Sequence, residues 1–270
     1  MPESFNLSSD SNNSSLRRLG GMILAAGLGS RLKPWTDHHP KALALVNGKS
    51  LLQHNIEYLQ RSGIKEVVVN VHHFANQVIE AIQKNNGWGS RIIISDETEE
   101  VLETGGGFLK AAPLFQNANP IVLMNVDILT DLNLLAMISY HQEKKPLATL
   151  ATTNRETSRY FLFDEGNNLC GWKNAKTGEE RPHPRPLFSR RAKEGTSLQG
   201  CEIQKAFSGI HIVESRIFSL IKQGEKFSMV DVYMDLVEDE TIKSFDHSEN
   251  RVIDVGKAES IAKAETLFHS

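Results

Sequence analysis

Met22-Ile23-Leu24-Ala25-Ala26-Gly27-Leu28-Gly29-Ser30-Arg31 is a short apolar run that breaks into glycine and then into a cation. The run from Met22 to Ala26 has the length and character of a buried strand. At Gly27 and Gly29 the chain must bend sharply and leave backbone N–H groups bare. Arg31, Lys33 and Lys41 follow. Bare amides, missing side-chain bulk and nearby cations together suit a polyphosphate.

Downstream of this stretch, strand and helix patterns alternate. Leu52, Ile56 and Leu59 fall at helical spacing, with Ser50 placed as N-cap and Gly63 as the closing residue. Residues 66–71 form a β-branched run, as in a buried parallel strand. A helix carrying Val78, Ile79 and Ile82 stops near Gly87, and residues 91–94 read as another strand. An acidic stretch with Glu97, Glu99 and Glu100 leads to Glu103-Thr104-Gly105-Gly106-Gly107, expected to be a flexible glycine loop ahead of a short helix over 108–114. A fourth strand, 121–125, ends at Val126-Asp127. Asp131 is expected to cap a helix with Leu134, Leu135 and Ile138, and 147–152 is a fifth strand.

This alternation predicts the α/β class, with a mostly parallel sheet flanked by helices. Ligands bind outside the carboxyl ends of such strands, which is where Gly27 and Asp127 lie. After Thr153 the pattern changes. Short antiparallel strands are expected at 160–163 and 169–172, around a turn at 165–167. Residues 173–199 are irregular, with Pro182, Pro184 and Pro186 and seven Lys or Arg against three Glu. Such a loop is a candidate lid or a solvated insertion. A strand over 205–213 and two helices follow, the second opening with Ser228-x-x-Asp231 as in a capping box. Two short strands come next, the last ending at Asp254 before Gly256. An amphipathic helix with Ile261, Ala264, Leu267 and Phe268 closes the pattern.

Composition narrows the class. The 270 residues are 40% hydrophobic and 23% charged with a net charge of −3, so nothing global points to nucleic acid or a membrane surface. No apolar run approaches the ~18 residues of a membrane helix. The Ser- and Asn-rich residues 1–19 read as a flexible tail, and they lack the apolar centre of a secretion signal. Cys170 and Cys201 are too few for a disulfide framework and are expected to be small core hydrophobes in a reducing compartment. The expected setting is cytoplasmic. Two familiar phosphate motifs fail. A dinucleotide fingerprint needs a third glycine where Leu32 stands and an acid near Asn47, and a P-loop ending in Gly48-Lys49-Ser50 needs glycine where Leu43 stands.

What remains is Leu24-Ala-Ala-Gly-x-Gly-x-Arg31 with Pro40-Lys41 behind it. This pattern resembles the signature of the sugar-1-phosphate nucleotidylyltransferases, over about residues 21–268. Leu102-Glu-Thr-Gly-Gly-Gly107 is most similar to the N-acetylmuramate-1-phosphate uridylyltransferases, with mannose- and heptose-1-phosphate guanylyltransferases close behind. The resemblance implies a Rossmann-like nucleotide-binding core over 20–153. It also implies a smaller mixed sugar-phosphate-binding part over 154–270, packed with the core as one domain. The expected reaction joins a nucleoside triphosphate to a sugar 1-phosphate and releases pyrophosphate, with Mg²⁺. UTP with N-acetylmuramate 1-phosphate is the leading pair.

By the same resemblance, Arg31 and Lys41 balance the triphosphate, while Asp127 and Asp254 hold the metal. The chemistry agrees, because two anionic reactants must be neutralised and aligned in line. Leu24, Ala25, Ala26, Gly27 and Gly29 face the nucleotide. Glu103, Thr104, Gly105 and Gly106 form a second glycine loop around the nucleoside or sugar. The Glu-Lys-Pro motif that anchors the sugar phosphate in some relatives is absent. Lys173-Asn174, Arg159 and the basic loop up to Lys193 are alternatives, and Ser208-Gly209 lies where relatives place sugar-contacting backbone. Self-association is left open. A phosphocholine-type cytidylyltransferase is a more distant enzymatic option. The rival from another class is a non-catalytic, nucleotide-sugar-sensing subunit, which would be expected to lose one of the four charged residues.

Overall fold

The computed structural model describes residues 18–116, 118–182 and 201–269. β1 (Arg18–Leu24) opens the fold, and β2 (Leu45–Val46) and β3 (Lys49–Ser50) form a small hairpin. Helix α1 (Leu51–Arg61) is capped as expected, with the Ser50 side chain accepting from the Gln53 N–H. Then follow β4 (Glu66–Val71), α2 (Ala75–Lys84), β5 (Arg91–Asp96), α3 (Glu103–Lys110), β6 (Ala118–Asn125), β7 (Ile128–Thr130) and α4 (Leu134–Lys144). The second half contains β8 (Ala148–Thr153), β9 (Arg159–Phe163), β10 (Leu169–Asn174), β11 (Glu180–Pro182) and the long β12 (Ile203–Val213). It ends with α5 (Met229–Leu236), β13 (Ile242–Asp246), β14 (Val252–Asp254) and α6 (Ala258–Leu267).

Ten of these strands form one mixed sheet, in the order β11-β10-β9-β12-β6-β1-β4-β5, with β8 beside β12 and β13 beside β8. β6, β1, β4 and β5 are mutually parallel. Met22, Ile23, Val67 and Val69 are buried there between helical layers, which is why these strands read as continuous apolar runs. The carboxyl ends of β1, β4 and β6 place Ala25, Asn70 and Asn125 along one rim, where α/β sheets bind ligands.

Five sequence expectations change. The strand at 147–152 does not extend the parallel set, because β12 occupies the slot beside β6, and β8 pairs antiparallel with it. Asp131 does not cap α4. Arg251 binds both its carboxylate oxygens, and Asn133 takes the cap, accepting from the Ala136 N–H. The Glu103–Gly107 stretch is not a loop before a helix but the first turns of α3 itself. Cys170 and Cys201 are joined as a disulfide tying β10 to the residues just before β12. The 173–199 stretch begins as an ordered hairpin, β10 with β11, and its residues 183–199 lie outside the described residues, as do residues 1–17 of the expected tail. Among the described residues, no helix is long and apolar enough to cross a membrane.

Candidate active site

Two carboxylates 127 positions apart in sequence meet through a short ladder. β14 runs antiparallel to β7 with Asp254 opposite Ile128, and the Val255 N–H donates to the Asp127 carbonyl at 2.8 Å. The cations come from the first loop. Lys41, in a 3₁₀ turn after Pro40 and only 9% exposed, forms an ion pair with Asp127. Arg31 reaches Asp254 at 3.4 Å and Asp127 at 3.9 Å. Gly29 makes this approach feasible. Its φ of 64° is left-handed, and a Cβ there would stand 3.0 Å from Lys41 Cβ and 2.9 Å from the Thr36 methyl. Thr36 pins the loop by donating its hydroxyl to the Gly29 carbonyl at 3.0 Å.

The four charges are not fully satisfied by one another. Asp254 Oδ1 is buried and has no hydrogen-bond partner. Burial, then the adjacent Asp127 carboxylate, raise the Asp254 carboxyl above its usual range, and Arg31 and Lys41 only partly oppose this. A buried, unpartnered oxygen beside a second carboxylate is a donor set for a hard divalent cation. No cluster of three or more His, Cys, Asp or Glu suited to a metal occurs among the described residues. A cation held by these two carboxylates would take its remaining ligands from other oxygens and water. Gly256 keeps this corner open, since a Cβ there would lie 2.5 Å from Arg31 Nη2 and 2.6 Å from Asp254 Oδ1.

Beside this group lies a cavity of about 200 Å³, lined by Leu24, Ala26, Gly27, Lys41 and Asp127 among others. A Cβ on Gly27 would meet nothing within 4 Å. The cavity's back wall contains two residues that the sequence reading passed over, Asn70 and Glu97. Asn70 Oδ1 accepts from the Ala25 N–H at 2.6 Å, and its Nδ2 donates to Glu97 Oε1 at 2.7 Å. Both are buried, and burial raises the Glu97 carboxyl above its usual range despite the Asn70 and Leu102 hydrogen bonds. An asparagine inside the apolar run Val67–Val71 was the available signal, because buried polar groups need partners.

The second glycine segment also packs within the fold. Gly105 and Gly106 are buried in α3 and are not among the residues lining this cavity. A Cβ on Gly105 would fall 2.5 Å from the Phe227 ring, one on Gly106 would overlap the Glu225 carbonyl, and one on Gly107 would lie 2.5 Å from Glu97 Oε1. The Gly105 and Gly106 N–H groups donate to the Phe227 carbonyl, and Thr104 Oγ1 accepts from the Met229 N–H. The glycines thus allow α3 to seat against the chain entering α5. Glu103 and Thr104 line the smaller cavity.

Glu103, Thr104, Gly27 and Asn125 also border a second cavity of about 560 Å³. Its far walls carry Arg159, Phe161, Trp172, Phe207, His211 and Tyr233, from β9, β10, β12 and α5. His211 shares a hydrogen bond of 2.6 Å with the Tyr233 hydroxyl, and complete burial lowers its pKa to about 3, so it is neutral. Asn174, Ser208 and Gly209, expected from sequence on the sugar side, are not among the residues lining either cavity. Asn174 accepts from the Lys176 N–H in the β10–β11 turn. Ser208 is fully buried and bonds His247, and Gly209 packs against Ile128 and Asn125. Lys173 pairs with Glu180 on β11 at 2.5 Å. No local pattern could have announced the aromatic wall, which four separate elements assemble.

Residues 20–270 match the nucleotidyl transferase family model, and the chain belongs to that family. The N-acetylmuramate alpha-1-phosphate uridylyltransferase of Caulobacter vibrioides is 43% identical over 109 residues, covering 39% of this chain and 44% of that relative. The chain thus matches just under half the length of that relative. Over a longer span, the mannose-1-phosphate guanyltransferase of Yarrowia lipolytica is 25% identical across 252 residues, 93% of this chain and 64% of that protein. The fold is that of UDP-glucose pyrophosphorylase from Acinetobacter baumanii (TM-score 0.70, 13% identity, 92% of each chain). It is equally that of HddC from Yersinia pseudotuberculosis complexed with GMP-PN (TM-score 0.67, 21% identity, 92% and 99% covered). These place the mixed sheet and its helices in the nucleotide-diphospho-sugar transferase type.

Proposed function

We propose that this protein transfers a nucleotidyl group from a nucleoside triphosphate to a sugar 1-phosphate, releasing pyrophosphate. The observation that carries this is the convergence of Arg31, Lys41, Asp127 and Asp254, with Lys41 and Asp127 lining the smaller cavity. Lys41 and Arg31 are held ready by the carboxylates and are free to re-pair with incoming phosphates. Lys41 presents a compact charge from the cavity wall, and Arg31 a fork suited to a leaving pyrophosphate. The attacking sugar phosphate is ionised at neutral pH, so no general base is required. Mg²⁺ held by Asp127 and Asp254 would supply charge neutralisation at the phosphates. The wall of Ala25, Ala26 and Gly27, braced by Asn70 and Glu97, takes the nucleoside.

The leading substrate pair is UTP and N-acetylmuramate 1-phosphate. It is supported by the uridylyltransferase relatives of Caulobacter vibrioides and Neisseria meningitidis, at 43% and 38% identity. GTP with mannose 1-phosphate is the second reading, favoured by the 93% of this chain that aligns with the guanyltransferase of Yarrowia lipolytica. A pyrophosphate-release assay over a matrix of triphosphates and sugar 1-phosphates tests both. Turnover should require Mg²⁺ and fall at least ~100-fold in Lys41→Ala and Asp127→Ala, the scale for losing one preorganised charge at the reacting centre. Absence of turnover with every pair would refute the activity. Full turnover in Asp127→Ala would refute its assignment as a metal ligand.

A further inference from the structure

The far wall of the larger cavity combines two unlike surfaces. One is apolar, from Phe161, Trp172, Phe207 and Tyr233, with Met229 beside them. The other is a single cation. Arg159 lines this wall, and among the described residues its guanidinium has no ion pair or hydrogen bond. The neighbouring Lys173, one residue beyond Trp172 on β10, is turned to Glu180 instead. His211 is held neutral by burial and adds no charge. The one carboxylate of the cavity, Glu103, stands at the opposite side, on the border with the nucleotide cavity.

The direction in which a sugar 1-phosphate must enter follows from the shared border. Its phosphate has to meet the α-phosphate beside Lys41, Gly27 and Asp127, which belong to the smaller cavity. The ring and its substituents therefore project into the larger cavity, away from that border. They meet the aromatic wall and Arg159. Arg159 is exposed at the mouth of this wall, where a neutral hexose offers its guanidinium no counter-charge, whereas a carboxylate would engage it through paired, charge-assisted hydrogen bonds. The cavity, at about 560 Å³, is large enough for a pyranose with two bulky substituents, since small-molecule sites span roughly 300–1,000 Å³.

We infer that Arg159 is the specificity-determining residue for an acidic substituent on the sugar. It pairs with the carboxylate of an ether-linked lactyl group, while the aromatic wall receives the lactyl and N-acetyl methyls. This rests on the proposed nucleotidyl transfer and narrows its substrate to N-acetylated, carboxylate-bearing sugar 1-phosphates. It also separates Arg159 from the sugar phosphate itself, which both substrate classes carry.

The test compares N-acetylmuramate 1-phosphate with N-acetylglucosamine 1-phosphate, which is the same sugar without the lactyl ether. Full-length wild type, Arg159→Gln and Arg159→Lys are assayed with each, and thermal melts monitor folding. The wild type should favour the acidic sugar, and Arg159→Gln should reduce that preference in kcat/KM by 10- to 100-fold, mainly through KM. Arg159→Lys should retain most of it, because the charge is kept. Equal losses on both sugars would overturn the inference and assign Arg159 to the shared phosphate. An unchanged preference in Arg159→Gln, or a wild type that favours the neutral sugar, would also overturn it while leaving nucleotidyl transfer intact. A wild type inactive on every triphosphate and sugar pair would overturn the underlying activity as well.

Discussion

Two segments of this chain are rich in glycine, and Gly27 in the first contrasts with all three glycines of the second. In Gly27-Leu28-Gly29 the first glycine faces open space, with nothing within 4 Å of where a Cβ would stand. In Gly105-Gly106-Gly107 every such position is already filled by Phe227, Glu225 or Glu97. At Gly27 the first segment leaves open space beside the cavity, while its second glycine, Gly29, makes room for Thr36 and Lys41. The second segment withholds side chains so that another part of the same protein can come close. A glycine run is thus a statement about close approach, and only the surroundings tell whether a ligand or a helix is approaching.

Substitution separates the two cases sharply. The largest effect is expected for Gly106→Ala, whose Cβ would overlap backbone that cannot swing aside. A stability loss of about 3 kcal/mol or more, at the upper end of overpacking costs, should appear as a lowered urea midpoint. Gly27→Ala should behave in the reverse sense. Its stability should stay within ~0.5 kcal/mol of wild type, as for a residue outside the core, while KM for the triphosphate rises roughly 10-fold as the methyl enters the cavity. If Gly27→Ala unfolds the protein, or Gly106→Ala folds normally, the contrast between the segments fails.

The smallest effect concerns Glu97, which faces Gly107 and, through Asn70, holds the Ala25 N–H just ahead of Gly27. Burial raises its carboxyl in the folded state. The unfolded chain therefore releases this proton first, and the contribution to stability declines as pH rises from about 4.3 through the raised folded value. Glu97→Gln should remove that part of the pH dependence, which urea midpoints measured between pH 4 and 8 would show. An unaltered profile would mean that the carboxyl is not held up by its surroundings.

Much of the framework was legible because it is local. The β-branched run at Val67–Val69, the Ser50 cap and the Ser228–Asp231 capping box each depend on neighbours within one turn or strand, and each forms as read. The strand ends bearing Gly27 and Asp127 were equally plain. What escaped is non-local. Asp131 and Asn133 are both competent caps, and the choice was made by Arg251, about 120 positions away. The packing role of Gly105–Gly107 depends on Phe227 and Glu225, again from the far half. The Cys170–Cys201 bond follows from β10 and β12 both lying beside β9, a pairing that no spacing of two cysteines encodes. The aromatic cavity is the same kind of object, a surface that exists only after the sheet has formed.

The ladder that carries Asp254 is three residues long and belongs to a sheet of two strands, apart from the ten-stranded one. Beneath it, α6 is fastened by Asn47, which donates to the Glu265 and Phe268 carbonyls, and by Arg251, which donates to the Leu267 carbonyl. Small, edge-bound units of this kind open more readily than the body they rest on. If the proposed site is the working one, its lifetime would be governed by a seam rather than by the whole molecule. Each brief parting of that seam would carry off one carboxylate while the architecture around it still stands.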